Sequence, residues 1–205
     1  AVPAFSKVDS MEARVQGCVT CHGQSGQGTN SGYFPRIAGL PAAYLYNQLV
    51  AFRDGTRSYA PMNYLVAYLP DAYLREMAEH YAKLRPPFST RTPPTVDPAT
   101  LARGQALVVT GDSAKTIPAC ASCHGANFNK PIDASYPKLA GQHADFLYVA
   151  LKSYKTDGNP QVGRGNPIMG GQVKQFSNAE LKVIANYLAS LPSDLIMLRG
   201  VIMPL

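Results

Sequence analysis

At 205 residues the chain is long enough for one large domain or two small ones. Nineteen Lys and Arg against 13 Asp and Glu leave a formal charge of +6, but the basic residues are scattered, which argues against a nucleic-acid-binding face. No apolar run reaches the roughly eighteen residues of a membrane-spanning helix.

In chain order, the sequence opens Ala1-Val2-Pro3, without a start Met or an apolar leader, and reads as a processed, exported chain. A short helix is expected from about Ser6 into Cys18-Val19-Thr20-Cys21-His22, followed by an irregular segment through Pro35-Arg36-Ile37-Ala38-Gly39. The spacing predicts a helix from Ala42 to Asp54, then a loop holding Met62 in Ala60-Pro61-Met62. Leu74, Met77, Ala78, Tyr81 and Leu84 mark the next helix, which Asp71 is placed to cap. Five prolines between Pro86 and Pro98 then exclude helix and favour a stiff, extended connector.

The order then repeats. A helix is expected over Pro98–Val109, followed by Cys120-Ala121-Ser122-Cys123-His124, Pro137-Lys138-Leu139-Ala140-Gly141 and a helix from Ala144 to about Thr156. Met169 follows in a second Pro-containing loop, Asn166-Pro167-Ile168-Met169. Ser177 and Glu180 form a capping box for a last helix with Leu181, Ile184, Ala185, Leu188 and Leu191 on one face. The tail from Leu195 to Leu205 is apolar but too short to span a bilayer; packing on the protein, a partner contact and a peripheral membrane contact are all compatible with it.

The halves align at an offset of 102 as far as Phe52-Arg53 on Tyr154-Lys155, with Tyr33 near Tyr136. A five-residue insertion around Gln161 to Asn166 then changes the offset to 107. A repeat of this length is a duplicated domain, giving an all-α protein with an N-terminal domain over 1–88, a Pro-rich linker over 89–98 and a C-terminal domain over 99–205. The first domain carries eight Lys/Arg and six Asp/Glu, the second ten and six, so any electrostatic docking preference is small and screened by salt.

The two Cys-X-X-Cys-His motifs use all four cysteines. At this spacing two thiols can each form a thioether to one haem vinyl group, and the adjoining His lies under the iron. A redox dithiol would want a βαβ setting that is not visible. One zinc bound by Cys18, Cys21, Cys120 and Cys123 would leave both histidines unexplained. Two covalent c-type haems are therefore expected, with His22 and His124 as proximal ligands; their propionates would leave the holoprotein only mildly basic. Haem is attached to thiols outside the bacterial cytoplasm, which points to the periplasm.

For the sixth ligands, Met62 lies forty residues after His22 and Met169 forty-five after His124, equivalent once the insertion is counted. Met77 sits on a helix stripe and reads as core; Met11, Met197 and Met203 have no repeat equivalents. His80 and His143 are unrepeated rivals that read as surface or packing residues. His/Met ligation closes the iron, raises its potential and suits electron transfer rather than substrate binding. The Pro35 and Pro137 carbonyls are candidates to accept the proximal His N–H. Arg36 and Lys138 are candidate partners of the propionates, or solvated surface cations. Tyr44, Tyr46 and Phe52 read as core around the haem.

With these motifs the chain resembles the dihaem cytochrome c4 family, notably in Tyr44-Leu45-Tyr46-Asn47-Gln48-Leu49-Val50-Ala51-Phe52-Arg53-Asp54-Gly55, Leu139-Ala140-Gly141-Gln142-His143 and Ala185-Asn186-Tyr187-Leu188. The resemblance runs from about residue 10 to 192. It implies two class I cytochrome c domains facing each other with haem propionate edges close, axial pairs His22–Met62 and His124–Met169, and periplasmic electron transfer from a respiratory donor to an acceptor such as a membrane oxidase. Ala150 in place of Gln48 and the insertion are departures. Two other readings compete: the electron-accepting subunit of a dehydrogenase, and a dihaem enzyme of peroxidase or sulfur-oxidising type. The absence of a spare cysteine counts against the sulfur-oxidising version.

Overall fold

The computed structural model describes residues 9–29, 31–87, 96–155 and 164–193. Among them the regular structure is helical, in two bundles that follow the repeat. Among the described residues strand-like pairing is limited to two isolated bridges, Arg57 with Arg164 and Asp112 with Ile117.

In the first bundle α1 (Met11–Arg14) starts at Ser10, whose hydroxyl accepts the Ala13 N–H at 3.2 Å. α2 (Gln16–His22) carries the first Cys-X-X-Cys-His. α3 (Ala42–Asp54) ends at Gly55, whose φ of 82° is the left-handed turn that glycine adopts without a Cβ clash. α4 (Ala60–Val66) leads into α5 (Asp71–Lys83). α5 packs against α3 because Leu74, Met77, Ala78 and Tyr81 recur at helical spacing and are buried together.

In the second bundle α6 (Pro98–Val109) is capped by the Asp97 carboxylate, which accepts the Thr100 N–H at 2.9 Å. After a 3₁₀ turn at Ser113–Lys115 come α7 (Ala121–His124), α8 (Ala144–Ser153), α9 (Pro167–Val173) and α10 (Asn178–Ser190). α10 packs on both α6 and α8. Gly104 lets α6 approach closely, since a Cβ there would lie 2.7 Å from Tyr187 Cβ and 3.0 Å from the Val183 carbonyl oxygen. Leu74 and Leu181, equivalent in the repeat, are fully buried; each contributes about 1.5–3 kcal/mol of transfer free energy.

Three local expectations need correction. Met62 and Met169 lie in short helices, α4 and α9, rather than in loops. Proline is tolerated in a helix's first turn because its missing N–H would have had no intrahelical partner there, and the Asn166 side chain accepts the Met169 N–H at 3.0 Å. Asp71 does not cap α5: it is the first helical residue after Pro70, and its carboxylate pairs with Arg53 at 2.6 Å. Phe34, rather than Tyr33, takes the place of Tyr136: Phe34 packs on His22 and Tyr136 on His124, with ring centroids 6.5 and 6.2 Å apart. The tail and most of the Pro-rich linker lie outside the described residues.

The bundles meet along polar backbone contacts. Gln142 accepts the Arg36 N–H at 3.0 Å and donates to the Arg36 carbonyl at 2.9 Å. The buried His143 ring lies over Gly28, where a Cβ would be 2.8 Å from Nε2. The Gly165 N–H donates to the Thr56 carbonyl at 3.0 Å.

Candidate functional site

The two halves share one apolar cleft of about 2060 Å³, counting its open mouth. From the first half Cys18, Cys21, His22 and Met62 line it, and from the second His124 and Met169. α2 and α7 deliver the two histidines at their last helical residue, and a glycine follows each (Gly23, φ 84°; Gly125, φ 85°) and turns the chain away. The His22 Nδ1–H donates to the Pro35 carbonyl at 2.9 Å, and the His124 Nδ1–H to the Pro137 carbonyl at 3.0 Å. The tautomer follows from the partner, because a carbonyl oxygen only accepts. Burial lowers both imidazole pKa values against the opposing pull of those carbonyls. Each ring is thus neutral, with its Nε2 lone pair left for a metal.

Burial raises the Cys18 thiol, and raises Cys120 to about 11. All four cysteines are unpaired. Among the described residues no three Cys, His, Asp or Glu side chains converge on a point that would hold a metal ion, so the four thiols are not gathered into one zinc site. The residues do fit haem: the first repeat brings two thiols, a neutral imidazole and a methionine to apolar walls, and the second brings its imidazole and methionine there, with Cys120 and Cys123 preceding His124 at the start of and within α7.

His80 lies away from the cleft in a shallow depression with Met11, Glu76, Glu79, Lys83 and Leu84, and His143 is buried between the bundles. Met77 is core and also touches the cleft. The two expected propionate partners differ in placement. Lys138 lines the cleft. Arg36 is fully buried, so it is not a surface cation, and its guanidinium donates to the Pro86 carbonyl at 2.5 Å and the Pro87 carbonyl at 3.3 Å. Burial, then the charge of Arg85, pushes it down to about 10.

Sequence reasoning passed over a second pair of cations, Arg57 and Arg164, which also line the cleft. The Arg57 N–H bonds to the Ala51 carbonyl and the Arg164 N–H to that of the equivalent Ser153, which makes the two arginines equivalents at offset 107, so the insertion ends before Arg164 and falls within 156–163, outside the described residues. Extending the second alignment back from Met62 and Met169 would have found the pair.

Two helical bundles repeating one Cys-X-X-Cys-His site around a shared apolar cleft define a two-domain c-type cytochrome. The Cytochrome c family model matches the chain twice, over residues 12–80 and 101–192. A thiosulfate dehydrogenase electron acceptor from Thiomonas intermedia is 35% identical over 177 residues, covering 85% of this chain and 78% of that one. Reduced recombinant cytochrome c4 from Pseudomonas stutzeri superposes with a TM-score of 0.75 at 26% identity, covering 92% of this chain and all of the other. Thiosulfate dehydrogenase from Marichromatium purpuratum matches with a TM-score of 0.73 at 32% identity, over 85% of this chain and 36% of that one. The chain belongs to the cytochrome c family. It is a dihaem, cytochrome c4-like electron-transfer protein with two covalently bound haems c.

Proposed function

We propose that this protein is a periplasmic two-site electron carrier, taking electrons from a dehydrogenase and passing them to an acceptor such as a membrane oxidase. In this reading Cys18 and Cys21 hold the first haem and Cys120 and Cys123 the second. His22 with Met62, and His124 with Met169, supply the axial ligands. The carrier domains are 1–88 and 99–205, joined by 89–98. The bound haem iron supplies reversible one-electron chemistry. The protein fixes each imidazole through the Pro35 or Pro137 carbonyl and excludes water with the apolar walls.

The observation that carries this is the equivalence of the two sites: each half brings one Pro-anchored histidine and one methionine to the same cleft. Two thioether ligands from methionine would leave no open coordination position, which favours a carrier over a catalyst. A dehydrogenase as donor is favoured by the Thiomonas relative, described as the electron acceptor of thiosulfate dehydrogenase. Among the described residues no helix is long and apolar enough to cross a membrane, consistent with a donor and acceptor that come to the protein.

The test is stopped-flow mixing of the oxidised holoprotein with a thiosulfate dehydrogenase and thiosulfate. Fast reduction of both haems, with no rapid cyanide binding by the resting protein, is expected. Rapid cyanide binding at either haem would favour an enzyme and overturn the carrier reading. Failure of the dehydrogenase alone to reduce it would move the donor to another class.

A further inference from the structure

Arg57 and Arg164 face each other across the two bundles in a near-symmetric arrangement. The Arg57 N–H donates to the Ala51 carbonyl at 3.0 Å and the Arg164 N–H to the Ser153 carbonyl at 3.1 Å, and Ala51 and Ser153 are themselves repeat equivalents. Each guanidinium stacks on the equivalent aromatic of its own half: Arg57 on Phe52, 4.3 Å from the ring centroid, and Arg164 on Tyr154, at 4.9 Å. Both donate to one acceptor, Gln48 Oε1, at 2.9 and 3.0 Å. Arg164 also donates to the Tyr44 hydroxyl at 3.1 Å and the Tyr154 hydroxyl at 2.8 Å.

What this cluster holds is two positive charges and no negative one. Among the described residues neither arginine pairs with a carboxylate, whereas the half-buried Arg14 and Arg53 do. Arg164 is 6% exposed, and among the described residues its Nε has no hydrogen-bond partner. Burial and the charge of Arg164 push the Arg57 guanidinium down to about 9. Burial opposes charge on Arg164 too, but the phenol oxygens of Tyr44 and Tyr154 outweigh it and leave Arg164 raised. Two like charges, one buried and one half-buried, sharing one amide oxygen are unfavourable unless an anion joins them. The donors point to a planar, bidentate oxyanion, since guanidinium forks match carboxylates. The pair lines the cleft that carries both histidines, so the carboxylates at hand are the haem propionates.

We propose that Arg57 and Arg164 form one shared cationic seat that binds a propionate carboxylate from each of the two haems and so couples the two reduction equilibria. This rests on the dihaem reading above. Arg36, committed to the Pro86 and Pro87 carbonyls, has no part in it. A cation beside a haem favours the reduced, more negative state. Because the seat is shared, either arginine acts on both haems, which a cation belonging to one domain alone would not do.

The test uses the holoprotein with Arg57→Gln, Arg164→Gln and Arg164→Lys. Each haem is followed separately by the NMR signals of its methyl groups during a redox titration. Each Gln variant is expected to lower both midpoints, by roughly a tenfold change in each one-electron equilibrium (about 59 mV), with Arg164→Lys retaining much of the wild-type value. A shift confined to one haem, or none, overturns the proposal. If a Gln variant fails to fold, Gln48→Glu keeps the packing and sets a competing carboxylate between the guanidiniums; it too should lower both midpoints, and unchanged midpoints would sink the idea. Haem content is counted independently by the pyridine haemochrome. Fewer than two haems per chain in the wild-type protein would defeat the dihaem reading, which is distinct from a failure of the seat.

Discussion

Gly26 in the first domain and Phe128 in the second hold the same backbone position with opposite side chains. Both have a left-handed φ, 72° and 56°. In the first domain the Gly26 carbonyl accepts two N–H groups, from Ile37 and Ala38, both at 2.9 Å. In the second the Phe128 carbonyl accepts those of Leu139 and Ala140, at 2.9 and 3.2 Å. The carbonyl fixes the chain beside the anchoring proline, so the left-handed turn is kept even where it strains a phenylalanine. The volume is then balanced elsewhere. A Cβ on Gly26 would lie 2.8 Å from Tyr81, whereas the second domain has Leu188 in place of Tyr81 and fills the room with Phe128, which is 1% exposed. Packing is conserved across the pair of positions and not at either one.

The two domains can be made unequal most sharply at the proposed axial ligands. Replacing Met62 with Ala should lower the potential of the first haem on the order of 0.1 V, within the roughly 0.8 V range that axial ligation spans. The methionine-to-iron charge-transfer absorption of the oxidised protein should halve, and Met169→Ala should do the same for the second haem. Redox titration with visible spectroscopy reads both. Equal shifts of both haems from one substitution would break the one-domain, one-methionine assignment.

Next in size is the swapped packing pair. Phe128→Ala removes a buried ring from the second core, which costs about 3–5 kcal/mol for a large-to-small change; the left-handed strain stays, because it arises from the Cβ that alanine keeps. Denaturant unfolding of the holoprotein should show a loss in that range. Gly26→Ala adds the strain and the Tyr81 clash in the first domain. Combining it with Tyr81→Leu should give a loss smaller than the sum of the single changes by roughly 0.5–3 kcal/mol, the range for residues in contact. Strict additivity would mean that the two positions do not share their space.

Most of the architecture is legible in the sequence because it rests on local rules. The predicted bounds of α3 and α6 coincide with those observed, since Pro41 and Gly55 bracket one and Asp97 with Pro98 starts the other. The capping box at Ser177 and Glu180 is present as read. The helices around Met62 and Met169 were hidden by proline, which breaks a helix in its interior and is neutral in its first turn. The site divides in the same way. The cysteines, histidines and anchoring prolines follow from a five-residue motif and a repeat. Arg57 and Arg164 do not emerge because the insertion expected from the repeat spans Arg164, and because arginines gathered without carboxylates cannot be told from two surface cations until the domains are brought together. Gln142, which ties the bundles together through the Arg36 backbone, follows no local pattern either.

The smallest contrast concerns how the last helix of each domain begins. In α10 the Ser177 hydroxyl accepts the Glu180 N–H at 3.1 Å, and the Glu180 carboxylate accepts the Ser177 N–H at 2.7 Å. α5 has Pro70 and Tyr73 at those positions and no side-chain cap. Ser177→Ala should therefore cost about 1 kcal/mol, whereas Asp71→Ala removes only the surface pairing with Arg53 and should cost no more than about 1 kcal/mol and often nothing measurable. The contrast is also pH-dependent. The Ser177 N–H holds the Glu180 carboxyl below its ordinary value, against burial and aided by Lys115. A depressed carboxylate contributes stability that is complete above its unfolded pKa of about 4.3 and is lost as the pH falls through the folded value. The penalty of Glu180→Ala, which removes the carboxylate arm, should thus shrink on going from about pH 6 to about pH 3 when measured by denaturant unfolding, because the wild type loses that arm in acid and the variant has none to lose. A penalty that holds constant over that range would mean that the hydroxyl arm alone caps α10, leaving the two domains separated at this point by a single hydrogen bond.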